Sequence, residues 1–279
     1  MLAPPRGATT APPSPSLPVR APATIAVLTI RERARTFARA AFPRRRCKLH
    51  LTRLGRDLDT LLKTTLVDAV IIDITTPSDE IWHAVDSARE FPSIPFFALT
   101  ALRPTDAPGI ARCVAAEFAD LLVEGVDDAL ARQMVLAQAY TSRFADALHE
   151  PPPSLQLNQP LQLSAWRVLV SYAGRVVRTD TIAAALGVTR EHLSRAFGTG
   201  GTANLKRLID LVRLISAAEL SKNSGFDIGD VASILEFASS SHLSTTAQRI
   251  VGTRPASLSR LRTVDLVDRF VKGRTRSRG

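Results

Sequence analysis

Two short stretches near the carboxyl end carry side chains suited to hydrogen bonding with nucleic-acid bases. In the first, REHLSRAF (190–197), Leu193 and Phe197 are four residues apart and face inward if the stretch is helical. The outward positions are then Arg190, Glu191, His192, Ser194 and Arg195. Arginine can pair bidentately with guanine, and serine, histidine and glutamate can contact base edges or phosphates. An ordinary helical hairpin with a solvated charged face is the alternative, so the neighbouring elements decide.

The residues before this stretch predict a helix-turn-helix unit. Asp180 is the expected N-cap of the short helix TIAAAL, and Thr189 is the expected N-cap of REHLSRAF. Gly187 lies between them and can adopt the left-handed conformation that a sharp turn between two helices requires.

A second unit of the same kind follows a linking helix. The segment NLKRLIDLVRLISAAEL places apolar side chains at helical spacing, at Leu205, Leu208, Ile209, Val212 and Ile215. After it, IGDVASILEF repeats the first short helix, and SSSHLSTTAQRIVG repeats the second. Two such units on one linking helix are an arrangement for reading DNA.

The distribution of charge favours the same partner. The 279 residues carry a formal net charge of +10. Residues 1–150 hold 18 Lys and Arg against 17 Asp and Glu, whereas residues 151–279 hold 18 against 9. The basic half predicts a polyanionic partner, for which double-stranded DNA is the obvious candidate. No membrane association is expected, because no apolar run approaches ~20 residues and no helix combines a basic face with aromatic anchors.

Residues 162–262 resemble the DNA-binding domain of AraC/XylS-type bacterial transcriptional regulators. The resemblance rests on LSRAF, VRLISAAEL, IGDVASILEF and GTRP, which occur in the family's order and spacing. It implies a cytoplasmic, nucleoid-associated regulator whose two recognition helices enter successive major grooves, with RNA polymerase as a candidate partner. The residues it assigns to DNA contact are Arg190, Glu191, His192, Arg195, Ser240, Ser241, Thr245 and Arg249.

The second unit departs from the family pattern. Glu236 occupies the turn position where the family has glycine, which costs about 1–2 kcal/mol if the residue is left-handed. His242-Leu243 replaces an aromatic pair, Ala247 replaces a buried phenylalanine, and Thr202 replaces a glycine. We therefore expect the first unit to be the stronger base reader and the second to act more through phosphates and shape. The alternative is a second unit that is only a structural buttress.

The amino-terminal half predicts a doubly wound α/β domain ahead of this all-α domain. Strand candidates alternate with helical patterns, and several of the strands are apolar on both faces, as in parallel sheets. The predicted strands are 24–30, 48–54, 69–74, 95–100 and 119–123. The predicted helices are 31–42, 56–66, 78–91, a weaker one near 107–118, and one from Val126 to His149.

The segment DAVIIDITTP (68–77) resembles the third strand of two-component receiver domains, with Asp73 at the phospho-acceptor position and Thr100 at the end of the next strand. Receivers also have an acidic pair that binds Mg²⁺, where this chain has Thr29 and Ile30, and a Lys-Pro pair, where it has Glu124 and Gly125. Phosphoryl transfer needs cations at these places. We therefore expect a degenerate receiver-like domain without phosphorylation, used for protein contact, with a homodimer as the candidate assembly. A working receiver phosphorylated on Asp73 is the rival, and an interaction protein with vestigial DNA binding is the second.

The remaining segments complete the predicted organisation. Residues 1–23 form a proline-rich disordered leader, 24–149 the α/β domain, 150–161 a proline-rich linker acting as a semi-rigid spacer, 162–262 the DNA-binding domain and 263–279 a basic tail. Ser164 is the expected N-cap of the first helix after the linker, which ends at Gly174 and includes Trp166 as a core anchor.

No enzymatic constellation is found in the sequence. Cys47 and Cys113 lack metal-ligand spacing, and we expect reduced thiols without a metal. The sequence also shows no paired carboxylates, no phosphate-binding glycine loop and no nucleophile–base pair. We therefore expect no catalysis and no cofactor. The run Arg44-Arg45-Arg46 is expected in a solvated loop, with an accessory phosphate contact as the alternative.

Overall fold

The computed structural model describes residues 21–198 and 203–275. Most of the predicted disordered leader, the Thr202 substitution and the last residues of the basic tail lie outside the described residues.

The amino-terminal half is built on a five-stranded parallel sheet. Its strands are β1 Ala23–Leu28, β2 Cys47–Thr52, β3 Ala69–Asp73, β4 Phe96–Thr100 and β5 Asp120–Val123. All neighbouring strands are parallel, in the order β2-β1-β3-β4-β5. This is the doubly wound order of the flavodoxin-like and receiver folds. Every predicted strand is found, and the predicted fold class is confirmed.

Six α-helices follow or separate these strands: α1 Glu32–Ala41, α2 Gly55–Thr64, α3 Asp79–Ser87, α4 Ala107–Ala115, α5 Ala131–Gln138 and α6 Tyr140–Ala147. One face of the sheet packs against α1 and α5, through Phe37 and Val135. The opposite face packs against α2, α3 and α4, through Leu62, Val85 and Cys113. The sheet is therefore covered on both sides, as its apolar strands require. The arginine run at 44–46 lies on the exposed loop between α1 and β2.

The prediction of a single helix from Val126 to His149 was wrong, because the helix is interrupted at Ala139. Ala139 is extended (φ −54°, ψ 143°), which ends α5 and starts α6. The cause is long-range. The Tyr140 N–H donates to the Asp68 carbonyl at 2.9 Å, and the Thr141 N–H donates to the Asp68 carboxylate at 3.0 Å. Asp68 thus accepts the donors that would otherwise continue the first helix.

The carboxyl half is helical. It contains α7 Pro160–Val170, α8 Thr179–Ala185, α9 Arg190–Gly198, α10 Leu205–Leu220, α11 Ile228–Ile234, α12 Ser240–Val251 and α13 Thr263–Thr275. Short 3₁₀ turns cover Pro153–Leu155 and Pro255–Arg260. The final helix α13 lies in the segment predicted as a basic tail, and it buries Leu266, Val267 and Phe270.

Two predicted helix caps were wrong. The helix expected to start after Ser164 begins earlier, at Pro160, since Gln162 accepts a hydrogen bond from the Gln159 N–H at 3.1 Å. Asp180 is not the cap of α8 but lies in its first turn, after an N-cap at Arg178 that makes no side-chain capping bond. Proline is favoured at the first helical position, which explains the earlier start of α7.

The predicted spacer does not hold the two halves apart. Leu155 and Leu157 of the linker are buried, and the core on the α2–α4 face continues without interruption into the carboxyl half. Trp166 is buried as predicted, and its Nε1 donates to the carbonyl of Leu148 at the end of the amino-terminal half, at 2.7 Å. The proline-rich segment is packed and not extended, because burial of its apolar side chains in the core is favourable.

Candidate nucleic-acid interface

The first helix-turn-helix unit consists of α8, a turn at Gly187 and α9. Gly187 has φ +65°, the left-handed conformation predicted for it. The Thr189 hydroxyl caps α9 by accepting a hydrogen bond from the His192 N–H at 3.1 Å, also as predicted. Leu193 and Phe197 are buried and fix the inward face of α9. The helix therefore presents a defined outward face.

The predicted base-contacting residues of this unit lie on that outward face. All four are exposed: Arg190, Glu191, His192 and Arg195. Arg190 Nε lies 3.6 Å from Asp180 Oδ1, and both side chains are 63% exposed. Because exposed ion pairs of this kind contribute little, Arg190 can exchange Asp180 for a phosphate or a base at small cost.

The linking helix α10 holds the two units on one scaffold. The five apolar residues of its predicted stripe are all buried. Asn204 caps its start by accepting a hydrogen bond from the Arg207 N–H at 2.9 Å. The apolar side of α10 is thus buried between the two units, whose helices α9 and α12 each have an exposed face.

The second unit repeats the local geometry of the first. The Val188 N–H donates to the Ala183 carbonyl in the first turn, and the Phe237 N–H donates to the Ala232 carbonyl in the second. The Ser239 hydroxyl caps α12 by accepting from the His242 N–H at 3.1 Å, as Thr189 does for α9. Between turn and cap the second unit has one more residue, Ala238. The repeat seen in the sequence is therefore a repeat of hydrogen bonds, with one insertion.

Glu236 occupies the second turn in the left-handed conformation, with φ +54°. This is the strained position expected from the missing glycine. A partly buried guanidinium supports the turn: Arg213 Nη2 donates to the carbonyls of Leu235 at 2.8 Å and Glu236 at 3.4 Å. The same guanidinium lies 3.9 Å from the centre of the Phe237 ring.

This supporting role of Arg213 was not predicted from the sequence. The residue lies on α10, and burial lowers the pKa of its guanidinium. The signal was present in VRLISAAEL, the motif that carries the family resemblance, but periodicity alone gave Arg213 no role. Its hydrogen bonds and ring contact tie the linking helix to the second turn.

The predicted contact residues of the second unit lie together. Ser240, Ser241, Thr245 and Arg249 line one open groove of about 850 Å³ along α12, together with Gln248 and Arg254. Arg249 Nη2 lies 2.8 Å from Asp210 Oδ2 on α10, so part of its charge is already compensated. Arg254, from the motif GTRP, is exposed at the end of the groove and was not predicted as a contact residue. Four hydroxyl-bearing side chains and two arginines are among the residues that line the groove, and such side chains suit phosphate contact.

The carboxyl end of the sheet holds a second set of charged groups around Asp73. Arg31 Nε and Nη2 donate to the Asp73 carboxylate at 2.7 and 2.9 Å, and Arg31 Nη1 donates to Glu124 at 3.0 Å. The Thr29 hydroxyl donates to Asp73 at 2.6 Å. Burial acts to lower the pKa of Arg31, but its hydrogen bonds and charge attraction to Asp73 and Glu124 raise it overall.

Arg31 therefore supplies positive charge at the Asp73 carboxylate, beside which a receiver binds a metal ion. Asp73 is buried, and both of its oxygens accept hydrogen bonds from the guanidinium. The Thr100 hydroxyl is also engaged in a hydrogen bond, which it donates to the Asp106 carboxylate at 2.7 Å. The lost acidic pair was evident from the sequence, but Arg31 was predicted only as part of the first helix.

Comparison with known proteins identifies the carboxyl half. A family model described as a helix-turn-helix domain matches residues 182–260, from α8 to the 3₁₀ turn after α12. Residues 182–260 form an AraC-type helix-turn-helix domain. This match supports a DNA-binding transcription regulator. All eight predicted contact positions lie within helices α9 and α12 of this domain, and Arg190 is the first residue of α9.

Arg190 and the other seven contact positions all fall inside the matched range of the AraC-type domain. No curated protein sequence matches the chain significantly. Among solved structures, full-length FixJ from B. japonicum is 12% identical, covers 81% of this chain and 96% of its own, and has a TM-score of 0.35. Within the part of the chain that the structure describes, no helix is long and apolar enough to cross a membrane.

Proposed function

We propose that this protein is a sequence-specific transcriptional regulator that reads DNA with both helix-turn-helix units and acts without phosphorylation of its amino-terminal half. The observation that carries the proposal is the pair of exposed recognition helices on the buried linking helix α10. The basic charge of residues 151–279 supports it, because phosphate neutralisation drives protein–DNA association.

The two units contribute unequally in this proposal. The first unit carries Arg190 and Arg195, whose guanidinium groups can recognise guanine bidentately. The second unit offers hydroxyls and Arg249, whose charge is shared with Asp210. We therefore assign base readout chiefly to α9 and backbone contact chiefly to α12.

The test is DNA selection with the full-length chain followed by quantitative binding. Genomic fragments enriched by the wild-type protein are expected to show affinity that falls steeply with salt, by about 0.9 in log–log slope for each phosphate neutralised. Replacing Arg190 and Arg195 by alanine is expected to remove discrimination between enriched and unrelated fragments. Each bidentate pair lost accounts for about 1–3 kcal/mol of discrimination.

A matched control removes the same charge elsewhere. Arg53 and Arg56 are exposed in the amino-terminal half, and the control replaces both by alanine. This variant is expected to keep its preference for the enriched fragments. Wild-type protein that enriches no fragment would contradict the proposal. Equal discrimination between fragments by the two double variants would show that α8 and α9 form an ordinary helical hairpin whose charged face does not read bases.

The contacts of Asp73 support independence from phosphorylation. Phosphoryl transfer to an aspartate needs a free carboxylate with a metal cation beside it. The Asp73 carboxylate instead accepts hydrogen bonds from Arg31 and Thr29. Beryllofluoride or acetyl phosphate with Mg²⁺ is expected to leave the tryptophan emission and the DNA affinity unchanged. A Mg²⁺-dependent change in either, lost in Asp73→Asn, would restore the rival of a working receiver.

The remaining partners and the setting belong to the same proposal. The amino-terminal half serves protein contact, a homodimer is the assembly we propose, and RNA polymerase is the proposed partner at promoters. The protein acts in the bacterial cytoplasm, at the nucleoid, as a binding protein and not as an enzyme.

A further inference from the structure

The turn between α10 and α11 is anchored on the amino-terminal half. Asn223 in this turn is buried, and its Oδ1 accepts a hydrogen bond from the Ser93 N–H at 2.9 Å. Its Nδ2 donates to the Leu220 carbonyl at the end of α10, at 2.7 Å. The Ser93 hydroxyl donates to the Glu219 carbonyl at 3.1 Å. One amide side chain thus connects the linking helix to a loop of the α/β half.

Two residues further on, the turn fits against an aromatic side chain of the same loop. The Gly225 N–H donates to the Glu90 carbonyl at 3.1 Å. A Cβ at position 225 would lie only 2.4 Å from the Phe91 ring, so the close approach requires glycine. The neighbouring Phe226 ring lies 4.9 Å from the Phe91 ring, centre to centre. The fit is therefore both polar and apolar.

The contact continues from the turn into the second unit itself. Helix α2 packs against α11, the first helix of that unit. Neither α8 nor α9 has a comparable contact with the helices and strands of residues 21–149. The first unit is held instead by α7, where Gln162 Nε2 donates to the Ala196 carbonyl at 2.7 Å. The amino-terminal half therefore packs directly against the second unit, whereas it is connected to the first unit through α7 and through Arg175, which precedes α8 and pairs with Asp68.

These contacts lie at the joint where the second unit would pivot. Helix α10 runs without a break from Leu205 to Leu220, and the turn at 221–227 is the next place where backbone angles can change. Hinges of this kind are a few residues at the ends of elements. Glu90, Phe91, Ser93 and helix α2, which we call the clamp, hold that turn and the helix after it.

We infer that the clamp positions the second helix-turn-helix unit and so sets the spacing between the two DNA segments that the protein reads. The inference rests on the proposed reading of DNA by both units. Because a displaced recognition helix cannot reach its groove, binding through two linked units falls to binding through one. Phe91 is a positioning residue in this role, since it lies in the amino-terminal half and away from α9 and α12.

The test uses the full-length chain with Phe91→Ala and a set of DNA fragments that vary the spacing between the two half-sites. Wild-type protein is expected to prefer one spacing and to protect both half-sites in a footprint. Phe91→Ala is expected to keep protection at the half-site of α9, lose it at the other and lose the spacing preference. Affinity at the preferred spacing is expected to fall by about a hundredfold, the gain typical of linked binding.

Two further variants keep the test decisive. Gly225→Ala disturbs the same contact from the other side and is expected to give the same half-footprint. Phe37→Ala removes a buried ring from the opposite face of the sheet and is expected to lower stability while both half-sites stay protected. A full footprint with unchanged spacing preference in Phe91→Ala and Gly225→Ala would overturn the inference. A half-footprint in Phe37→Ala would also overturn it, because lost stability would then suffice.

The outcome also separates this inference from the proposed function. If wild-type protein enriches no DNA, the proposed function fails. If wild-type protein binds one spacing and the clamp variants bind it equally well, only the positioning role fails.

Discussion

At two places in this protein a single residue stands where related folds ordinarily have a different group: Glu236 in place of a turn glycine, and Arg31 beside the carboxylate where a receiver binds a metal ion. Glu236 occupies a left-handed turn position, and Arg213 supports that turn by hydrogen bonds to two carbonyls. Arg31 follows the two positions, Thr29 and Ile30, where receivers have an acidic pair, and it pairs with Asp73 and Glu124. In both places an arginine from a neighbouring element compensates for a residue that the local pattern leaves unfavourable.

Replacing Glu236 by glycine is expected to stabilise the protein. The left-handed conformation costs a side-chain-bearing residue about 1–2 kcal/mol, and glycine gives back part of the gain through the entropy of the unfolded chain. We expect a net increase of roughly 0.5–1 kcal/mol in the free energy of unfolding, measured by urea denaturation. Glu236→Ala is the control, since alanine keeps the strain, and an equal gain in both variants would contradict the explanation.

Removing Arg213 is expected to have the opposite effect. Arg213→Met keeps much of the apolar bulk but leaves the Leu235 carbonyl without its guanidinium donor. We expect a loss of about 1–3 kcal/mol in urea denaturation. In the Glu236→Gly background the loss should shrink, because the turn no longer needs the same support. Full additivity of the two substitutions would contradict a coupling between these residues.

At the scale of elements, a carboxylate decides where one helix ends and the next begins. Asp68 is fully buried and accepts hydrogen bonds from the Thr24 N–H, the Thr141 N–H and hydroxyl, and Arg175. Arg175 lies beyond the linker, between α7 and α8. Asp68 therefore joins β1, α6 and the segment that leads into the first reading unit.

Replacing Asp68 by alanine is expected to be strongly destabilising. It leaves the largely buried Arg175 guanidinium without its carboxylate, which costs roughly 3–5 kcal/mol when one partner of a buried pair is removed. The measurement is the free energy of unfolding in urea. Asp57→Ala, on the exposed face of α2, is the control and should stay within about 0.5 kcal/mol of wild type. A small effect of Asp68→Ala would show that Arg175 finds another partner.

At the scale of the whole molecule, the two halves share one hydrophobic core. The cluster on the α2–α4 face includes β-strand residues such as Val70 and Ile72 together with Trp166 and Leu208 of the carboxyl half. The linker contributes two buried leucines to it. A core of this continuity couples the halves energetically, in contrast to domains that are joined by an exposed spacer.

The shared core predicts a single unfolding transition for the full chain. Calorimetry, far-ultraviolet circular dichroism and tryptophan emission are expected to report the same midpoint, since neither half can lose its packing alone. Trp82 reports on the amino-terminal half and Trp166 on the junction. Two transitions, with Trp166 exposed in one and Trp82 in the other, would show that the halves fold independently.

The sequence by itself determined most of the elements and the two helix-turn-helix units. Each of the five strands, Gly187 in its left-handed turn, the Thr189 cap and the buried stripe of α10 followed from patterns within a few residues of one another. Such features depend on local sterics, capping and periodicity, which neighbouring residues carry. The strained Glu236 could be predicted for the same reason.

Only the tertiary structure decided how distant residues complete one another. The break at Ala139 depends on Asp68, the neutralisation of Asp73 depends on Arg31, and the glycine at position 225 depends on Phe91. Each pairing joins residues separated by more than 40 positions, so no local pattern contains it. Burial makes these contacts strong, because a charge or donor removed from water must find its partner within the fold.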